Sequence, residues 1–262
     1  MLGAIIGDIV GSRFEFDNTD ETGFELFTEE CDFTDDTVCT VAIADALLNG
    51  KSYRDSLVEW CRKYPNPMGA YGAGFKRWIF SSGQQPYNSY GNGSAMRVSP
   101  VGWLHGEREE VIRQAAATAC VSHNHPEGVK GAVAVALAVF AGRNGVDKRE
   151  LPDYLRKHVD GFDYELGVPV DVIRKTNTTF DPTCQGSVPQ ALNCFLESRD
   201  FEDCIRLAVS IGGDSDTIAC MAGSVAEAFY GKDHIPLHII DSAMRILPDD
   251  MKRIIEQFEK YK

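Results

Sequence analysis

One segment of this sequence, residues 128–142 (GVKGAVAVALAVFAG), would carry apolar side chains on nearly every side of a helix. Such a helix has no polar face to turn toward water, so we expect a fully buried central helix with other helices packed around it. The helical spacing of apolar residues predicts further helices at residues 37–48, 52–63, 107–121, 187–197, 200–209, 216–230 and 248–260.

Segments in which polar and apolar residues alternate with period two are few, and the signals for β-hairpins are weak. The sequence therefore predicts an all-α fold, a compact multi-helix bundle. No Pro/Ser-rich linker interrupts the 262 residues, so we expect a single domain over residues 1–262. Residues 64–94 and 160–186 read as irregular regions, and the composition of the first suggests loops and short helices that line a site.

The formal net charge of -13 disfavours non-specific binding to nucleic acid or to an anionic membrane surface. No apolar stretch is long enough to span a bilayer, and the N-terminal segment lacks the basic start of a signal peptide. We therefore expect a cytoplasmic protein. The 8 cysteines include no C-x-x-C pair, which favours reduced and mostly buried thiols.

Two acidic segments, residues 34–37 (TDDT) and 214–217 (DSDT), repeat one pattern ahead of an apolar helix. Helix capping explains part of each copy, because Asp and Thr are favoured at helix starts. Each copy nevertheless has more acids than a cap requires, and Gly212 and Gly213 allow close backbone approach before the second copy. The repetition predicts that two helix starts meet at one place.

If the two starts meet, four carboxylates and two threonine hydroxyls converge, and so much negative charge requires cations. Oxygen ligands favour Mg²⁺, with Mn²⁺ or Ca²⁺ as alternatives, and two ions balance the charge better than one. The positive helix ends oppose cation binding, but the formal charges of the carboxylates outweigh them. The predicted metal ligands are Thr34, Asp35, Asp36, Asp214, Asp216 and Thr217.

The N-terminal segment carries Gly3, Gly7 and Gly11, which form one bare stripe on a helix and predict tight packing against another helix. Asp8 lies among apolar residues, where a carboxylate is costly unless it is paired or bound to metal. Glu15 lies between two phenylalanines and is a candidate acid/base residue with an environment-tuned pKa. The alternative for Glu15 is an acid in a surface loop.

Residues 91–97 (GNGSAMR) offer backbone N–H groups to an anion in the manner of a phosphate nest, although a Gly-rich turn before a helix is the simpler interpretation. Arg97 either binds phosphate or pairs with an acid. Residues 122–128 (SHNHPEG) form the loop that enters the buried helix. There, His123 is a candidate either for capping or for ligand contact, and His125 is the weaker candidate for a ligand contact.

Five segments together resemble one family, the ADP-ribosylglycohydrolases: GDIVGSRFE, FTDDT, YGNGSAMRVSPVG, SHNHPEGVKGA and IGGDSDTIACMAGSVAEAFYG. The resemblance spans almost the whole chain, and FTDDT with GDSDT is its specific pair. It implies an all-α fold with a dinuclear magnesium centre in a cleft. It also implies hydrolysis of the N- or O-glycosidic bond that links ADP-ribose to an acceptor.

Carried over residue by residue, the resemblance implies that the six ligands named above hold two Mg²⁺ ions, with Mn²⁺ as a substitute. Asp36 and Glu15 would be the catalytic carboxylates that take or relay the proton of the attacking water. The implied substrate-binding residues are Tyr90, Gly91, Asn92, Gly93, Ser94, Met96 and His123.

The expected function is a magnesium-dependent hydrolase that releases ADP-ribose from a modified side chain, arginine or serine first, or from a small ADP-ribose conjugate. Two alternatives stay open at this point. The chain could be a non-catalytic ADP-ribose or nucleotide sensor, or a two-metal nucleotide phosphoesterase. We expect a monomer whose partner is ADP-ribose or an ADP-ribosylated substrate.

Overall fold

The computed structural model describes residues 1–177 and 179–262. Its α-helices are α1 (Leu2–Gly11), α2 (Asp35–Asn49), α3 (Tyr53–Lys63), α4 (Ala73–Phe80), α5 (Gly93–Met96), α6 (Ser99–Leu104), α7 (Arg108–Cys120), α8 (Pro126–Arg143), α9 (Leu151–His158), α10 (Val170–Thr176), α11 (Cys184–Glu197), α12 (Phe201–Ser210), α13 (Ser215–Tyr230), α14 (Leu237–Ile246) and α15 (Asp249–Tyr261). Three short 3-10 helices cover Ser12–Phe14, Lys148–Glu150 and Lys232–His234. The described residues form no β-sheet, and the all-α prediction is confirmed.

Helix α8 is the central helix that the sequence predicts. It begins at Pro126, where His125 supplies the cap, and an unbroken run of buried residues extends from Lys130 to Ala141. After Lys130 this run contains no polar side chain, and it is enclosed by neighbouring helices, namely α5, α6, α7, α11 and α13.

Helix α1 packs along α13, and the glycine stripe explains why the two backbones come so close. A Cβ atom on Gly7 would lie 2.0 Å from the carbonyl oxygen of Ala219, and one on Gly11 would lie 2.5 Å from the Cα of Asp216. The prediction of tight helix packing is therefore confirmed. Its consequence is that Asp8 lies beside the start of α13, at the level of Asp216.

The helices predicted from apolar spacing are present, with ends that differ by up to about one turn. Helix α11, predicted from residue 187, begins at Cys184 because Thr183 accepts a hydrogen bond from the N–H of Gly186. The prediction of an irregular segment at 160–186 is wrong in part, since α10 occupies Val170–Thr176, while residue 178 lies outside the described residues. Helix α4 lies within residues 64–94, where the sequence predicts loops and short helices, whereas α9 and α14 are helices that the sequence does not predict.

Seven of the eight cysteines are buried, and Cys120 is exposed. Their burial agrees with the expectation that they serve as small apolar side chains. In the part of the chain that the structure describes, no helix combines the length and the apolar character needed to cross a membrane.

Candidate active site

The starts of α2 and α13 lie next to each other, although 181 residues separate the two side chains that join them. Oγ1 of Thr217 donates a hydrogen bond to Oδ2 of Asp36 over 3.0 Å. Both residues belong to the repeated acidic segments, so the structure brings together the two helix starts that the sequence places in one site.

Capping uses little of the acidity at these starts. At α2, Oγ1 of Thr34 accepts the hydrogen bond from the N–H of Asp36, which leaves the carboxylates of Asp35 and Asp36 free of capping. At α13, the N-cap residue Asp214 makes no side-chain cap, and its Oδ2 instead accepts a hydrogen bond from Nδ2 of Asn92 over 2.6 Å. The acids are therefore available for another role.

Asp8 lies at the centre of this arrangement. Its carboxylate accepts hydrogen bonds from the N–H and Oγ1 of Thr34, over 3.1 and 2.6 Å. It accepts two more from the N–H and Oγ1 of Thr37, over 3.1 and 2.5 Å. Burial raises the pKa of Asp8 to about 6, against the lowering effect of these hydrogen bonds. The sequence marks Asp8 as a costly buried acid but does not place it in the site.

Two groups of carboxylates have oxygen atoms close enough to hold a cation. Asp8, Asp36 and Asp216 form one group, Glu15, Asp214 and Asp216 form the other, and the oxygens of each lie within 4.8 Å of one another. Asp216 belongs to both. Oδ1 of Asp36 and Oδ1 of Asp216 are buried and have no hydrogen-bond partner among the described residues. Buried acceptors without donors are costly, so these orphaned oxygens fit a bound cation.

The electrostatics of the cluster lead to the same conclusion. Burial and then the charge of Asp8 raise the pKa of Asp36 well above its usual range, and burial and then the charge of Asp214 do so for Asp216. Burial, followed by the charges of Asp214 and Asp8, raises the pKa of Glu15 to about 7. Without positive charge these acids repel one another and hold protons, whereas a cation would keep them ionised.

The acidic cluster opens into a cleft of about 380 Å³. Most of the predicted site residues line it, namely Glu15, Asp35, Gly91, Asn92, Gly93, Met96, His123, Asp214, Asp216 and Thr217. Thr34 and Asp36 do not line it; they are buried and reach it through the Asp36–Thr217 hydrogen bond.

Two predicted substrate residues point their side chains elsewhere. Oγ of Ser94 donates to the carbonyl oxygen of Gly128 over 2.7 Å, so this hydroxyl ties α5 to α8 and does not face the cleft. Tyr90 is 47% exposed and packs edge-on against the ring of His125, with 5.2 Å between centroids, outside the lining of the cleft. A direct role for these two side chains in ligand contact therefore has no support from the geometry.

The two histidines of the SHNHPEG segment have different positions. Nδ1 of His125 accepts the N–H of Glu127 and caps α8. His123 lines the cleft instead, with Nε2 over the glycine turn, since a Cβ atom on Gly93 would lie 3.1 Å from it. Of the two options that the sequence left open for His123, the structure favours ligand contact.

The aromatic lining of the cleft is not evident from the sequence. Phe16 and Phe180 are both exposed, and their ring centroids lie 5.9 Å apart at the rim, which joins the segment after Glu15 to the segment before α11. Phe75 and Tyr87 line the wall and lie within 6.0 Å of the His123 ring. Only the tertiary fold brings these four rings, from three separate segments, to one cavity.

Comparison with known proteins finds relatives along most of the chain. ADP-ribosylhydrolase ARH3 of Homo sapiens is 28% identical over 311 residues, covering 90% of this chain and 85% of that protein. The Mus musculus ARH3 is 26% identical, with 90% and 84% covered. The ADP-ribosylarginine hydrolase Tri1 of Pseudomonas putida (strain GB-1) is 27% identical, with 90% and 71% covered.

A solved structure described as an ADP-ribosylglycohydrolase-related protein complex has the same fold, with a TM-score of 0.72 over 99% of this chain and 96% of that chain, at 23% identity. The family model named ADP-ribosylglycohydrolase matches residues 1–262, the full length of the sequence. The chain therefore belongs to the ADP-ribosylglycohydrolase family and is a hydrolase of that family.

Proposed function

We propose that this protein is a magnesium-dependent hydrolase that cleaves the glycosidic bond between ADP-ribose and an acceptor and releases ADP-ribose. One observation carries the proposal. Two clusters of three carboxylates share Asp216 and open into the cleft that also holds the glycine turn and His123. Among the described residues, buried oxygens of Asp36 and Asp216 have no hydrogen-bond partner. The proposal thus puts a cation site and a site for an anionic, ribose-bearing ligand in one cavity.

The donor set favours a hard cation, because it consists of carboxylate and hydroxyl oxygens. Two Mg²⁺ ions, with Mn²⁺ as a substitute, match the two groups that share Asp216. From these clusters, Asp36, Asp214 and Asp216 would hold the ions, together with Thr34, Asp35 and Thr217 of the same two helix starts, whereas Asp8 and Glu15 are assigned other roles below. When bound, such ions lower the pKa of water and polarise the oxygens of a substrate.

Asp8 supports the proposed metal centre by accepting hydrogen bonds from residues at the start of α2. Its carboxylate already accepts four hydrogen bonds, from the N–H and hydroxyl groups of Thr34 and Thr37. A carboxylate so fully bonded is suited to orienting its donors, and Oγ1 of Thr34 also lies 3.2 Å from Oδ2 of Asp36. We therefore assign Asp8 the role of fixing Thr34, and through it Asp36.

Glu15 is the carboxylate best suited to move a proton. It lines the cleft, whereas Asp36 is buried behind Thr217. Bound cations would keep Glu15 ionised, and an ionised carboxylate that faces the cleft can accept a proton from the attacking water. Of the two catalytic carboxylates that the sequence suggests, the geometry favours Glu15 for proton transfer and Asp36 for the metal centre.

The cleft would hold the substrate by its ADP-ribose part. The turn at Gly91–Gly93 and the ring of His123 line the same cavity. Because the N–H groups of Gly91 and Asn92 donate to Oγ of Ser89 and to the carbonyl oxygen of Pro182, the N–H of Gly93 is the donor of the turn that we assign to an anionic diphosphate. Anchoring that part at a distance from the reacting bond places the anomeric carbon of the ribose at the acidic cluster. The acceptor then leaves toward the rim, past Phe16 and Phe180.

The acceptor is proposed to be a modified arginine or serine side chain, or a small ADP-ribose conjugate. The relatives of this chain include Tri1, whose name specifies ADP-ribosylarginine, and the ARH3 proteins, which are named only as ADP-ribosylhydrolases. The cytoplasmic location, the single domain and the monomeric state expected from the sequence stay predictions.

A panel of linkage-defined ADP-ribose conjugates tests the proposal. Each conjugate (arginine-, serine- and acetyl-linked) is incubated with the protein in Mg²⁺, Mn²⁺ or EDTA, and free ADP-ribose is measured, with the Asp216→Asn variant as the inactive control. The proposal expects ADP-ribose release that depends on the cation. Full turnover in EDTA would refute the metal requirement, and release of inorganic phosphate in place of ADP-ribose would indicate a phosphoesterase.

A further inference from the structure

Arg97 is completely buried and is among the largest side chains without solvent exposure. Its Nη2 donates hydrogen bonds to the carbonyl oxygen of Thr118, over 2.8 Å, and to Oγ of Ser122, over 3.0 Å. Nε and Nη1 have no partner in the described part of the chain, and the guanidinium lies 5.5 Å from the centroid of the Phe75 ring. A buried cation with so few partners is an expensive feature, and its contact with Ser122 suggests a function for it.

Ser122 connects this arginine to the histidine in the cleft. Oγ of Ser122 lies 2.7 Å from Nδ1 of His123, so the three side chains form a chain Arg97–Ser122–His123. Ser122 is fully buried, and among the described residues its hydroxyl has only these two side-chain partners. The orientation of the Ser122 hydroxyl is therefore determined by Arg97 and His123.

The direction of the bond between Ser122 and His123 follows from counting donors. A guanidinium can only donate, so Oγ of Ser122 accepts from Arg97, and its own hydrogen must find another acceptor. Nδ1 of His123, 2.7 Å away, is the acceptor that this hydrogen can reach. If Nδ1 carried the hydrogen and donated instead, the serine hydrogen would be buried without an acceptor, at the full cost of an unmade hydrogen bond.

The ring nitrogen that remains, Nε2, then carries the hydrogen of a neutral imidazole. Burial, followed by the charge of Arg97, lowers the pKa of His123 well below its usual value, which agrees with a neutral ring. Nε2 lies over the glycine turn, 3.1 Å from a Cβ position on Gly93 and 3.6 Å from one on Gly91. An N–H group at this place faces the space that the turn leaves open.

We propose that Arg97 and Ser122 are positioning residues that hold His123 as the tautomer protonated on Nε2, so that this nitrogen donates a hydrogen bond to a diphosphate or ribose oxygen of the ligand. The ligand named here rests on the proposed function, whereas the tautomer does not. Arg97 touches no substrate in this arrangement, because it acts through Ser122.

Nitrogen-15 NMR of the histidine rings tests the tautomer on the full chain without ligand. For His123 we expect Nδ1 to show the shift of an unprotonated acceptor and Nε2 that of a protonated nitrogen. Ser122→Ala should mix the two tautomers, and Ser122→Thr, which keeps the hydroxyl, should restore the wild-type spectrum. A hydrogen on Nδ1, or an Ala variant with an unchanged spectrum, would overturn the proposal; if the Ala variant does not fold, the wild-type spectrum decides alone.

Binding of ADP-ribose, measured by calorimetry in the presence of Mg²⁺, tests the consequence. The loss of one oriented hydrogen bond should weaken binding about five- to tenfold in Ser122→Ala. Ser122→Thr should recover it, and Ser224→Ala, which removes a buried hydroxyl bonded within α13, should bind as the wild type does. If the wild type binds no ADP-ribose, the proposed function fails while the NMR result stands; if it binds and Ser122→Ala binds equally well, the positioning role is wrong.

Discussion

Thr217 and Asp36 are joined by a hydrogen bond of 3.0 Å between two helix starts that are far apart in the chain. The bond occupies Oδ2 of Asp36, while Oδ1 of Asp36 and Oδ1 of Asp216 are buried and have no hydrogen-bond partner in the part of the chain that the structure describes. The hydrogen bonds to Asp36 therefore fix the orientation of its carboxylate, while one oxygen of Asp36 and one of Asp216 are left for another ligand. Buried carboxylate oxygens without donors are unfavourable by themselves, and cations bound there would satisfy them.

The first prediction concerns Asp216→Asn. Because Asp216 belongs to both carboxylate groups, its loss should reduce hydrolysis by about a hundredfold or more while the helical circular dichroism is kept. In EDTA the variant should melt at a higher temperature than the wild type, because Asp216 must take up a proton to be buried among other acids at neutral pH, and Asn avoids that cost. Asp153→Asn, a change in an exposed ion pair, is the matched control and should alter neither quantity. Wild-type activity in Asp216→Asn would contradict the assignment.

The second prediction concerns stability against pH without metal. The pKa of Asp8 is raised to about 6 and that of Glu15 to about 7, whereas both lie near 4 in an unfolded chain. The folded protein therefore binds more protons than the unfolded one in this window. The stabilisation is complete below about pH 4 and is lost as pH rises through about 7. In EDTA, the melting temperature should fall between pH 5 and 7.5, and saturating Mg²⁺ should flatten the slope. A melting temperature in EDTA that rises from pH 5 to pH 7.5 would contradict the protonation of Asp8 and Glu15 in the folded protein.

The third prediction concerns the helix contact that sets the site. A Cβ atom on Gly7 would lie 2.0 Å from the carbonyl oxygen of Ala219 and 2.4 Å from its carbon, and backbone atoms cannot move aside cheaply. Gly7→Ala should therefore cost roughly 2 kcal/mol or more, which lowers the melting temperature by about 4 °C or more. Gly106→Ala, where an added Cβ meets nothing within 4 Å, is the control. Equal melting of the two variants would show that α1 does not pack on α13 in this way.

How far the sequence determines these features depends on whether their signal is local. The apolar run of α8 predicts its own burial, and the repeated TDDT and DSDT segments predict that their helices meet, because each pattern is contained in a few neighbouring residues. Helices α10 and α14 were not predicted. Both are short and begin directly after a proline, at Val170 and Leu237, so little periodicity is available to indicate them.

The site shows the same division. Repeated acids and the glycine turn are visible as patterns, but the place of Asp8 follows from the packing of α1 on α13, and the ring of Phe180 reaches Phe16 only in the folded chain. The orientation of Ser94 toward Gly128 is also a tertiary fact, which is why the sequence suggests a ligand contact that the geometry does not support.

The last prediction concerns the support of Glu15. Gly69 has a φ of +72°, and a Cβ atom there would lie 2.2 Å from Oε2 of Glu15, so an added methyl group must displace that carboxylate. Gly69→Ala should lower kcat about tenfold or more, since a general base must stay within hydrogen-bond reach of the proton it takes. Gly145→Ala is the matched control: its φ of +76° brings the same backbone strain of about 1 kcal/mol, but the added Cβ meets nothing within 4 Å. Both variants should lose similar stability, and only Gly69→Ala should lose activity. Equal kcat values for the two variants would remove Glu15 from the catalytic machinery, because displacing it would then have no effect on turnover.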